Sequence, residues 1–127
     1  MQEVYGVKTG IDSGPALGMG GGIGHTGDAC GVIVGGAIAI GELVKERVPD
    51  HVEAKNTAVE LAGQYYDAFK DKFGVVECIN LIQMPIRTKE ETEAYKASGK
   101  RQTHCEKYLE FAVDYLSGLR DFRPKSM

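Results

Sequence analysis

The chain has 127 residues, 43% of them apolar, with a formal net charge of −3 and three cysteines. That is a single domain, 1–127, with enough apolar content for one modest core, which excludes a disordered chain. The acidic balance excludes a dedicated nucleic-acid binder, which is normally basic.

Residues 1–28 read as an irregular, glycine-rich entry segment, punctuated every few positions by Gly, Ser, Asp or Pro. Of the 17 glycines, 13 lie between Gly6 and Gly41, with no Gly-X-Y period of the collagen kind. Met1 to Gly10 carries Glu3 and Lys8 and no apolar run, so no secretory leader is expected. An odd number of cysteines without a leader points to free thiols and a reducing cytoplasm.

The run from Ala29 to Arg47 predicts a buried helix, N-capped by Asp28 and stopping before Pro49. Its uncharged part, Ala29 to Gly41, is 13 residues, short of the roughly 20 that a membrane span needs. Each glycine inside this helix costs about 1 kcal/mol against alanine. Gly27, Gly31 and Gly35 recur every fourth residue, so a bare face is expected there, open to a neighbouring helix or an inorganic group.

A second helix is predicted from Val52 to Phe73, on the stripe Ala58, Ala62, Tyr65 or Tyr66, Phe69 and Phe73, with Gly74 as its stop. Tyr65, Tyr66 and Phe69 read as core. His51 is expected in the turn before it. Val75 to Ile82 predicts a short helix ending before Pro85. Thr88 and Glu91 form a capping-box signature for a charged helix to about Ala97, whose glutamates read as a solvated face. A second such signature, Thr103 and Glu106, predicts the start of a last helix. Its expected stripe is Cys105, Leu109, Ala112, Leu116 and Leu119, ending before Pro124. The fold class is therefore all-α: a small bundle of about four to five helices over 29–120, behind a glycine-rich N-terminal loop.

On this reading Cys30, Cys78 and Cys105 each fall in the first turn of a helix. Free N–H groups and the helix dipole there favour thiolate over thiol. Cysteines as inert, small core residues are the plain alternative. No C-x-x-C is present, which excludes a thioredoxin-type dithiol and a zinc ribbon. A site built from three separate helices remains, and three thiolates suit a soft metal or an iron–sulfur cluster. His25, just before Cys30, and His104, beside Cys105, are the candidates for a further ligand. Gly22-Ile23-Gly24-His25-Thr26-Gly27 matches G-x-G-x-x-G but follows no strand, so no nucleotide is expected. The loop can still offer N–H groups to an anion such as a cluster sulfide, through Gly22, Gly24, Gly27 and Gly31.

Gly20-Gly21-Gly22, then Cys30-Gly31-x-x-x-Gly35, then Cys78 soon after Phe69-x-x-x-Phe73-Gly74, then Cys105 opening a terminal helix, resembles a known pattern. It is that of the family of redox-active proteins named for C…GCAxxG…C…C, over roughly residues 15–119. A related domain accompanies the haem region of split-Soret cytochromes. The resemblance implies a small helical protein of anaerobic prokaryotes whose cysteines serve redox or iron–sulfur chemistry. The chain departs from the pattern in having no cysteine before Cys30 and Val32 in place of alanine. No C-x-x-C-H is present, so haem is not expected.

Three functions follow. The first is electron transfer or redox sensing through a metal centre, most readily an iron–sulfur cluster, at Cys30, Cys78 and Cys105, with a redox partner protein and no small substrate. The second is dithiol–disulfide cycling by two of the cysteines. The third is an interaction domain with inert thiols, homodimeric through the small-residue helix.

Overall fold

The computed structural model describes residues 21–122. The readings made for residues 1–20 and for Pro124 lie outside them. Within this span the chain is all-α: α1 (Gly31–Arg47), α2 (His51–Phe73), α3 (Cys78–Ile82), α4 (Lys89–Ser98), a π-helical turn (Arg101–Cys105) and α5 (Glu106–Gly118). Among the described residues the only β pairing is one antiparallel bridge, Ala29 with Glu77. No described helix is long and apolar enough to cross a membrane.

α1, α2 and α5 pack against one another and form the frame. Ile40, Leu43 and Val44 of α1, Tyr65 of α2, and Ala112 and Leu116 of α5 make one buried cluster. A second cluster, nearer the loop end, joins Cys30, Ile33, Phe69, Val76, Leu81 and Tyr108. Aromatic edges meet faces where the two helices cross, with Phe73 and Tyr108 ring centres 4.8 Å apart at 83°. At the far end, the Arg47 guanidinium donates to the carbonyls of Arg120 and Phe122 and ties α1 to the chain after α5.

The local signals explain most helix ends. Asp50 caps α2 by accepting from Glu53 N at 2.8 Å, and Gly74 ends it at φ 83°. His51 is thus the first residue of α2, not part of a turn. Thr88 and Glu91 form the full reciprocal box on α4. Three expectations are corrected.

First, α1 is not capped by Asp28. Residues 28–30 are spent on the bridge, with Cys30 N donating to Val76 O and Cys78 N to Asp28 O, so the helix starts at Gly31 with Cys30 as its cap residue. The same bridge shortens α3 from the expected Val75 start to Cys78.

Second, Thr103 and Glu106 make no box. The Thr103 hydroxyl donates to Gly99 O, and the π turn runs into α5 without a break. Cys105 has helical φ and ψ of −64° and −34°, so it lies along a continuous helical path rather than at a helix N-terminus. Downstream, Tyr108 takes the inward position and Leu109 faces out, 55% exposed.

Third, a close approach on α1 is at Gly36, and there is none at Gly35. A Cβ on Gly36 would stand 2.6 Å from Tyr65 Cζ, whereas one on Gly35 meets nothing within 4 Å. Gly27 is not in the helix; it turns at φ 77° against Ile79.

Candidate functional site

Cys30, Cys78 and Cys105 come from three elements and line one cavity of about 490 Å³ between α1, α3, α4 and the π turn. Each is placed by a distinct device. Cys30 and Cys78 sit on either side of the Ala29–Glu77 bridge, which fixes the entry to α1 against the entry to α3. Cys105 ends the π turn, whose extra width re-aims one side chain relative to the α-helical path.

The walls are mainly apolar, from Leu81, Ile82, Ile86 and Tyr108. The buried Tyr108 hydroxyl donates to Leu81 O at 2.8 Å and holds α3 against α5. The Lys100 ammonium reaches Ile82 O at 2.8 Å from the other side. Tyr95 Oη lies 2.9 Å from Cys105 Sγ, a direct hydroxyl–sulfur hydrogen bond at the cavity.

Burial governs the protonation of two of the thiols. It pushes the Cys30 thiol up, while the backbone N–H groups of Val32 and Ile33 at the start of α1 pull less strongly the other way. It pushes the Cys78 thiol up to about 11, with the neighbouring Cys30 and Cys105 adding to the rise. For these two, burial opposes the thiolate expected at a helix start, and at Cys30 it outweighs the backbone hydrogen bonds. Burial also holds the Tyr95 hydroxyl well above its ordinary value, followed by its hydrogen bond to Cys105.

The loop over the mouth is unusual. Gly21, Gly22, Ile23, Gly24 and His25 are five consecutive residues with φ between 61° and 68°. Left-handed backbone is costly for Ile23 above all, since a β-branched side chain rarely tolerates it. The loop is pinned by Gly27 N to Gly21 O, Asp28 N to Gly22 O and Thr26 Oγ1 to Gly22 O. Ile79 N donates to Gly27 O and joins it to α3.

Gly22, His25 and Gly31 line the cavity with the three cysteines. Gly24 points into open space and Gly27 packs on Ile79, neither on the cavity. His104 is also absent from it, its Nδ1 held 2.8 Å from Thr103 Oγ1. Among the described residues, no three His, Cys, Asp or Glu side chains form a group that could hold a metal ion. The sequence reading missed Tyr95, in the helix read as a solvated face. A lone aromatic in a ten-residue charged helix was the available signal.

A family model described as "Putative redox-active protein (C_GCAxxG_C_C)" matches residues 3–119. No curated protein and no solved structure matches the chain.

Proposed function

The chain belongs to the C_GCAxxG_C_C family of redox-active proteins, and from that premise we propose that its redox centre is an iron–sulfur cluster held by Cys30, Cys78 and Cys105. The observation that carries the reading is the meeting of three cysteines from three separate elements on one apolar-walled cavity. The donor set suits such a group. Clusters are held by cysteine thiolates, the donor type that all three residues carry.

Two of these thiols keep their protons at neutral pH when nothing compensates the charge. Iron supplies that compensation, so metal binding and thiol ionisation go together. The same protonation weighs against dithiol–disulfide cycling, because the thiolate is the attacking species. A bound cluster would supply one-electron transfer, which suits electron carriage or redox sensing rather than turnover of a small substrate. The protein's own groups exclude water through Leu81, Ile82 and Ile86, keep the thiols in place through the bridge, and hydrogen-bond Cys105 through Tyr95. A reducing cytoplasm and a redox partner protein complete the reading.

The test is a redox titration of anaerobically purified protein followed by electron paramagnetic resonance. A reversible one-electron signal that depends on iron is expected. Iron-free protein that titrates only as a two-electron thiol couple overturns it in favour of disulfide chemistry.

A further inference from the structure

We infer that the outward face of α2 is a dimerisation seam, covered by the same face of a second copy of this chain in a parallel pair. The spacing of its exposed residues defines the seam. Val52, Val59 and Tyr66 recur every seventh residue and stand 64%, 65% and 37% exposed. Asn56 and Gly63, also exposed, fall between them, so 52, 56, 59, 63 and 66 alternate steps of four and three along one face. That is the repeat of a coiled-coil seam, with Val52, Val59 and Tyr66 at d and Asn56 and Gly63 at a. A helix that packs on one side needs one apolar stripe. α2 packs inward through Tyr65 and Phe69, both fully buried, and carries this second stripe on its other side. The neighbouring helices offer nothing comparable: α1 presents Ile38 among its large apolar side chains, and α5 presents Leu109 and Val113, a single step of four.

Charge fixes the partner and its direction. Glu53, Glu60 and Asp67 fall at the e positions on one flank of the seam, whereas Lys55 stands at g on the other. In a parallel pair, g of one helix meets e of the next heptad in its partner, so Lys55 faces Glu60 on both sides of the pair. An antiparallel pair would set the acidic flank against itself. Asn56 meets its own copy at an a position, the arrangement that specifies register in parallel dimers. A Cβ on Gly63 meets nothing within 4 Å, so the two backbones can approach closely between Val59 and Tyr66. Lys70, the next a position, would meet its own copy and ends the seam.

The seam runs about 21 Å along the helix axis. Two heptads are too few to hold free peptides together, but α2 is already folded on its own bundle, so pairing orders little further chain. The expected dissociation constant is on the order of 10 µM, as suits a small interface. The pairing is isologous, so one patch serves both chains and the assembly closes at two. Phe69, towards the C-terminal end of α2, packs in one cluster with Cys30, so a parallel pair places both cysteine cavities at the same end of the dimer. The inference is independent of what occupies those cavities.

The experiment is analytical ultracentrifugation of the full chain from about 1 µM to about 1 mM, with a reductant present so that no dimer arises through the free thiols. A reversible monomer–dimer equilibrium is expected. Val59→Glu changes an exposed side chain, keeps the fold, and raises the dissociation constant by at least about tenfold. Leu109→Glu, at an equally exposed apolar residue off the seam, leaves it unchanged. Lys55→Glu and Glu60→Lys each weaken the dimer, and the two together restore it. A chain that stays monomeric at about 1 mM, a dimer that Val59→Glu leaves as tight, or a charge exchange that does not restore pairing overturns the inference.

Discussion

Replacing Gly36 by alanine tests how the bundle positions the site. The added methyl would stand 2.6 Å from Tyr65 Cζ and 2.7 Å from its Oη, closer than side-chain carbons approach neighbours. Tyr65 is fully buried and its hydroxyl donates to Val32 O at 2.8 Å, so the ring cannot retreat without losing that bond. Overpacking costs about 1–3 kcal/mol, and loss of the hydrogen bond to Val32 about 0.5–1.5 kcal/mol more. The better helix propensity of alanine returns about 1 kcal/mol. The net loss is about 0.5–3.5 kcal/mol, centred near 2 kcal/mol, a fall in Tm on the order of 10 °C for a domain of this size. Gly35→Ala is the internal control: one residue away, exposed and with nothing in reach, it should raise stability by about 0.4–1 kcal/mol. Thermal melts and urea titrations of the two variants check this. A Gly36→Ala protein as stable as Gly35→Ala would refute the account of how α1 and α2 meet.

Two further outcomes are expected. The folded metal-free protein retains the Cys78 proton up to about pH 11, against an ordinary value of 9.0. The stability from that retention is whole below about pH 9 and is lost as pH rises towards 11, because the unfolded chain binds fewer protons there. Urea midpoints across that range should fall more steeply for wild type than for Cys78→Ala; parallel profiles contradict the burial argument. Tyr95→Phe removes only the hydroxyl on Cys105 Sγ. It should lower the potential of the centre while changing stability by less than about 1.5 kcal/mol, and an unchanged potential would show that the bond does not tune it.

Signals contained within a few residues were legible in the sequence. The Thr88–Glu91 box and the Gly74 stop appear where the pattern places them, because each is satisfied by its own backbone. The identical-looking Thr103–Glu106 pattern is unused, since Gly99 and the π turn carry a helical path through it. Asp28 fails as a cap because a partner nearly 50 residues on, the 76–78 segment, claims the backbone of residues 28–30. No local pattern announces such a bridge. The glycine excess was legible as a demand for close approach, but not its addresses. At Gly36 the occupant is the Tyr65 ring, and at Gly21 it is the His25 imidazole. Position near a helix start is visible in a sequence, whereas the apolar wall whose burial pushes the Cys30 and Cys78 thiols up is not.

The central claim is that Cys30, Cys78 and Cys105 together hold one iron–sulfur centre. Iron and acid-labile sulfide analysis of the anaerobically purified protein beside its three single Cys→Ser variants tests it most directly. The account predicts iron and sulfide in wild type, and loss of iron in each of the three variants. Colourless wild-type protein with three free thiols and no sulfide, or iron that survives all three substitutions, would contradict it.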